Sequence, residues 1–219
     1  MHGFFKPILS SVLLFAFAAC TQLPKGVENE HVVYLFGATI LPDGKKVFHR
    51  GGGITIYNDD RGESFILTAR HLTKNLERVF IDTFHGRQLT GKVLWEHPDP
   101  EVDLALVSVP GNLSPALLQI CEGLTTNDRV VSISHPGDLQ WSIGEGIVLE
   151  EKPFFIRTNS YAWFGSSGGG LFNKTKGQLA GVIVAIEPHN AVWTTRAVSL
   201  IKNISDINQV LPVMLSCEK

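Results

Sequence analysis

The stretch WFGSSGGGLF, Trp163 to Phe172, decides how this chain is read. Six of its ten residues are Gly or Ser, the make-up of a flexible linker. Linkers are rarely bracketed by Trp-Phe on one side and Leu-Phe on the other. Read as a linker, it divides the chain into two flexibly joined parts. Read as a tight turn carrying a nucleophile, it makes the flanking segments parts of one rigid scaffold. A serine hydroxyl attacks a carbonyl well only when a base takes its proton and the oxyanion is stabilised. Glycines beside the nucleophile let backbone N–H groups approach that oxyanion. Ser167 has two glycines after it and Gly165 two positions before it, so the N–H groups of Gly165 and Ser167 are the candidate oxyanion hole. A plain Gly/Ser turn is the alternative.

The residues on either side are short strands. Upstream run HVVYLFGATI, GGGITIY, FILTA, RVFIDTF, LTGKVLWEH and DLALVSV, β-branched or aromatic and separated by turn signals such as PDGKK and NDDRGES. Gly111 to Asp128 breaks the rhythm as a connection. RVVSISH, SIGEGIVLE, FFIRTNS, QLAGVIVAI and AVWTTRAV follow. The tail then changes period: Val198, Ile201, Ile204, Ile207 and Leu211 recur at helical spacing, and Pro212 stops them. The expectation is an all-β fold of two six-stranded antiparallel β-barrels with a C-terminal helix. The first barrel should run over about 30–118, the second over about 128–200, and the helix over about 198–211, within a domain of 30–213 ending in a 214–219 tail.

Composition fits this. The chain has 219 residues, 44% of them apolar, and a formal net charge of −2, enough for a sizeable core. No basic run appears, so nucleic acid is not an expected partner. Residues 1–19 read as a signal peptide: Lys6 precedes the apolar run Ile8 to Ala19, too short to span a bilayer. The run ends in FAAC, similar to the lipobox of bacterial lipoproteins, with Phe17 where Leu is usual. Cys20 is then the lipidated residue, 20–29 a linker, and a bacterial membrane a partner through that anchor. Ordinary secretion with a cut after Ala16-Phe17-Ala18 is the alternative. Export puts Cys121 and Cys217 in an oxidising compartment, where they form either a disulfide or two separate thiols.

A base for Ser167 should sit at the end of a rigid strand. FILTARHL places His71 there. His135, in SISHPGD, precedes a Pro-Gly turn and reads as a loop residue. The carboxylate that orients the imidazole must be shielded from water. Of Asp99, Glu101 and Asp103, only Asp103 opens directly into an apolar strand. No His, Cys or carboxylate grouping has metal-ligand spacing, so no metal or other cofactor is expected.

The order His, Asp, Ser and the segments ILTARH, DLALV and GSSGG resemble the signatures of the chymotrypsin-like serine proteases, and most of all the protease domain of the Deg/HtrA type. The likeness runs over about residues 30 to 211. It implies a double barrel with His71 and Asp103 on the first half, Ser167 on the second and the active site between them. It also implies a substrate pocket walled by Tyr161 and Ala162 and by Ile183, Val184, Ala185 and Ile186. None of these is charged, so a small or medium apolar side chain is the expected guest. Three residues depart from the family pattern: Arg70 before the histidine, Gly170 after the glycine pair, and Ser166 where Asp or Asn is frequent. Ser166 cannot hold a freed N-terminus as that Asp does in digestive relatives. The chain stops soon after its last helix, so no PDZ domain is expected. The leading reading is an exported serine endopeptidase acting on protein or peptide, facing the periplasm or cell exterior. A protease-like module that binds peptides at a membrane without cutting is the alternative.

Overall fold

A computed structural model describes residues 23–113, 118–121, 123–137, 139–211 and 215. Cys20, Cys217 and the apolar leader lie outside the described residues. So neither the lipid anchor nor the Cys121–Cys217 pairing has a structural counterpart here.

Six strands make the first barrel: β1 (Val32–Ile40), β2 (Lys46–Asn58), β3 (Glu63–Thr68), β4 (Arg78–Asp82), β5 (Gln88–Glu96) and β6 (Ala105–Pro110). They close in the order β1-β2-β3-β6-β5-β4, all antiparallel. The second barrel has β7 (Arg129–Ser134), β8 (Ser142–Glu151), β9 (Phe155–Thr158), β10 (Gly170–Asn173), β11 (Leu179–His189) and β12 (Val192–Ser199). It closes as β10-β11-β12-β9-β8-β7, again antiparallel. The all-β double barrel expected from the strand pattern is the fold observed. Closure leaves no unpaired sheet edge.

Two elements were not separate in the sequence pattern. β10 is the end of the quoted stretch, and it brings its barrel to six strands. A single helical turn, α1 (Arg70–Thr73), follows β3. The C-terminal helix is α2 (Leu200–Val210). Its buried line is Leu200, Asn203 and Ile207, while Val198 belongs to β12. Burying Asn203 is tolerated because its side-chain amide donates to the Ser199 carbonyl at 2.7 Å.

The core is continuous across the two barrels. Val33, Leu35, Ile54 and Leu67 of the first barrel belong to the same buried cluster as Ile133, Phe172 and Val182 of the second. Each such side chain contributes on the order of 1.5–3 kcal/mol by leaving water. A shared core makes the cleft between the barrels a fixed geometry. Cys121 belongs to a smaller satellite cluster with Leu124, Val130 and Val148. Its thiol donates to the Gly123 carbonyl at 3.1 Å, and burial pushes it above the ordinary thiol range.

Candidate active site

α1 begins where β3 ends, so His71 stands at the mouth of the first barrel. A helix's first N–H groups have no partner within the helix. The His71 N–H is one of them, and it donates to Asp103 Oδ1 at 2.8 Å. The His71 Nδ1–H donates to Asp103 Oδ2 at 2.5 Å. One carboxylate therefore fixes both the backbone and the ring, and an acceptor at Nδ1 leaves Nε2 as the nitrogen able to take a proton. The His71 side chain is 45% exposed and that of Asp103 22%, so the imidazole faces the cleft while its partner is shielded. Arg70, the departure before the histidine, has a carboxylate: its Nε–H lies 3.4 Å from Glu96 Oε2. Thr73 Oγ1 donates to the other oxygen of Glu96 at 2.8 Å.

The stretch Trp163–Phe172 is a tight turn and not a linker. The Ser166 N–H donates to the Trp163 carbonyl at 2.9 Å, and the Trp163 N–H donates back to Ser166 Oγ at 3.0 Å. Ser166 is buried, and Ser134 Oγ donates to its hydroxyl at 3.1 Å. A neutral hydroxyl thus satisfies the inside of the turn. The turn is pinned to the first barrel by the Gly52 N–H, which donates to the Ser167 carbonyl at 2.7 Å. Gly168 sits here at φ +82°, and a Cβ on it would lie 1.9 Å from the Gly52 carbonyl oxygen. Both the backbone conformation and the close approach require glycine.

Ser167 and His71 line one cavity of about 430 Å³ between the barrels. The Ser167 hydroxyl donates to the Val184 carbonyl at 3.4 Å. Among the described residues it makes no hydrogen bond to His71. Val184 lies at a register shift between β11 and β12, with no partner residue opposite it. The extra residue re-aims the backbone there, which brings its carbonyl to the Ser167 hydroxyl. The Phe164 carbonyl accepts from the Gly137 N–H at 2.7 Å. Among the described residues, the N–H groups of Gly165 and Ser167 donate to no acceptor.

Ile183, Val184, Ala185 and Ile186 line the cavity, as does Trp163-Phe164. Tyr161 and Ala162 are not among the lining residues; Tyr161 is 54% exposed, and its carbonyl accepts from Ser132 Oγ at 3.1 Å. The sequence reading also missed Phe48, His49 and Arg50 of β2 on the opposite wall. The alternation of β2 placed them on a strand, but only barrel docking brings that strand end to the cleft. Behind the His71–Asp103 pair lies a second cavity of about 610 Å³, lined by charges of both signs, Arg70, Lys74, Glu101 and Arg196 among them.

The profile of the trypsin-like peptidase domain matches residues 51–182. The chain belongs to that family. It is 29% identical over 153 residues to the periplasmic serine endoprotease DegP of Salmonella typhimurium, covering 65% of this chain and 31% of that protein. It is 26% identical over 160 residues to the periplasmic pH-dependent serine endoprotease DegQ of Escherichia coli, covering 69% of this chain and 34% of that one. The chain spans about a third of the length of the curated relatives it matches.

Proposed function

We propose that the protein is an exported serine endopeptidase that hydrolyses peptide bonds through an acyl-enzyme. Ser167 Oγ attacks the scissile carbonyl carbon while His71 Nε2 takes its proton. Asp103 keeps the imidazole in the Nδ1–H tautomer and stabilises the imidazolium. The carbonyl oxygen, now an anion, is met by the N–H groups of Gly165 and Ser167. Collapse of the tetrahedral intermediate breaks the C–N bond, and His71 returns the proton to the leaving amine. Water then repeats the sequence on the ester and frees Ser167.

The observation that carries this reading is the double attachment of His71 to Asp103, in one cavity with a serine beside which, among the described residues, the Gly165 and Ser167 N–H groups have no acceptor. In this state the hydroxyl rests on Val184, and substrate binding supplies the shift toward His71. The Val184 carbonyl is then released to accept an amide N–H of the bound peptide. Ile183, Ala185, Ile186, Trp163 and Phe164 give the cavity apolar walls, favouring an apolar side chain beside the scissile bond. The relatives are periplasmic by name, which supports export, and Cys20 is the proposed point of lipid attachment.

The test is fluorophosphonate labelling of the folded protein, with the modified residue mapped by mass spectrometry. Label on Ser167, absent in His71→Ala and Ser167→Ala, is the expected result. A folded chain that takes no label would favour the non-cleaving peptide-binding module.

A further inference from the structure

The proposed chemistry uses His71 and gives no role to His135, a buried histidine beside the cleft. His135 is 1% exposed, and both of its ring nitrogens are engaged. Nε2–H donates to the Val33 carbonyl on β1 at 3.1 Å, across the barrel interface. Nδ1 accepts from the Trp141 N–H at 3.1 Å. Trp141 repeats the tie, its indole N–H donating to the Val32 carbonyl at 2.8 Å. The Tyr34 and Trp141 rings meet the imidazole edge-on, with centroids at 5.2 and 5.0 Å. This set of partners demands a neutral ring, because a second ring proton would face the Trp141 N–H. Burial acts the same way, pushing the imidazole down to about 4.

The main chain of the same segment touches the nucleophile turn. A Cβ on Gly165, where φ is +94°, would lie 2.6 Å from the His135 carbonyl oxygen. Two residues further on, the Gly137 N–H holds the Phe164 carbonyl at 2.7 Å. A trans peptide is planar, with its C=O and N–H pointing in opposite directions. Holding the Phe164 carbonyl outward therefore directs the Gly165 N–H toward the cleft. Released, the peptide is free to turn over and put an oxygen where the oxyanion needs a donor.

We propose that His135, with Gly137 and Trp141, is a positioning strut: it references the oxyanion hole to the first barrel and holds the Phe164–Gly165 peptide in the productive orientation. This rests on the peptidase reading of the site. Ser166, a hydroxyl satisfied inside its own turn, offers no attachment for a charged N-terminus. The strut supplies the external anchor in its place. His135 does not touch the reacting atoms; it acts through the backbone of Gly137.

The experiment compares wild type, His135→Ala and His135→Gln, with kcat referred to titrated active sites. Gln retains a donor for the Val33 carbonyl. Three readouts are taken on one peptide sequence: turnover, inhibition by the peptidyl aldehyde, and inhibition by the peptidyl alcohol, which forms no oxyanion. Loss of one oxyanion donor lowers kcat on the order of 10²-fold. His135→Ala should lose kcat and aldehyde affinity together on that scale, with KM and alcohol affinity little changed, and His135→Gln should recover most of both. Unchanged kcat per active site in His135→Ala, or equal loss of aldehyde and alcohol affinity, overturns the proposal. Should His135→Ala fail to fold, Trp141→Phe removes the bond to Val32 and trims the ring against the imidazole while keeping the Trp141 backbone N–H, and should give a smaller loss with the same selectivity. A crystal structure of whichever of these variants folds decides the point without turnover. A Phe164–Gly165 peptide turned over supports the strut, and one that has not moved overturns it. Failure of wild type to take fluorophosphonate, by contrast, counts against the peptidase reading alone.

Discussion

Two histidines flank the interface between the barrels, and their surroundings are opposites. His71 is half exposed and held by a carboxylate through both its ring and its backbone. His135 is buried and held by a neutral carbonyl and a neutral N–H. The same imidazole is thus prepared for two kinds of work. A carboxylate at Nδ1 leaves Nε2 open to the cleft, which suits His71 to the proton transfers proposed for it. A donor at Nδ1 and a buried carbonyl at Nε2 make a positive ring costly, so His135 can serve as a fixed link with one tautomer. The partner groups, more than the residue type, suit one histidine to the chemical role proposed for it and the other to the mechanical one.

The largest effect that tests this contrast is at Asp103. Asp103→Asn keeps the shape but removes the anion that selects the tautomer. Turnover on a peptide substrate should fall on the order of 10⁴-fold, with a thermal midpoint close to wild type. An active Asp103→Asn enzyme would erase the distinction drawn for His71.

Next in size is the pH dependence of stability. In the unfolded chain His135 titrates near its ordinary value of 6.5, and in the folded protein at about 4. Between those values the unfolded state binds the extra proton, so unfolding is favoured as pH falls. The contribution is complete above about pH 6.5 and is lost progressively down to about pH 4, amounting to about 3 kcal/mol over that window. The groups against the ring, the Val33 carbonyl, the Trp141 N–H, the Tyr34 and Trp141 rings and the Gly52 backbone, offer no compensating charge. Denaturant unfolding followed from pH 7 to pH 4 should show this loss, and His135→Gln should remove it. An identical slope in the variant would mean that other groups carry the acid sensitivity.

The smallest effect belongs to Ser166. Its hydroxyl accepts from the Trp163 N–H and from Ser134 Oγ, so Ser166→Ala should lower stability by about 1 kcal/mol. Labelling at Ser167 should persist, with turnover within severalfold of wild type. Equal inactivation by Ser166→Ala and Ser167→Ala would mean that the turn has been misassigned.

Much of this was written in local pattern. Short alternating strands, the connection after Gly111 and the change of period near Val198 suffice for an all-β chain closed by a helix. An apolar run ending in Thr-Ala before His71, an aspartate opening a strand at Asp103 and glycines around Ser167 are local signals too. Each reflects a requirement met within a few residues: a rigid strand end, a shielded carboxylate, a turn without Cβ. β10 was harder to separate, because its four residues continue the nucleophile stretch and its partners, β7 and β11, are set by barrel closure.

The set of elements and the chemical groups at their ends follow from local pattern, since backbone propensity and side-chain type act over short distances. What the tertiary structure alone decided is which of those ends meet. His135 reads as a loop residue until β1 delivers the Val33 carbonyl to it from the other barrel. Trp163 and Phe164 join the cavity wall only once the turn at the barrel interface has formed. The opening of Val184 toward Ser167 exists only as a register shift against β12. Contacts between residues about a hundred positions apart leave no periodic trace in the chain, because their energy depends on how two closed barrels pack and not on any one segment.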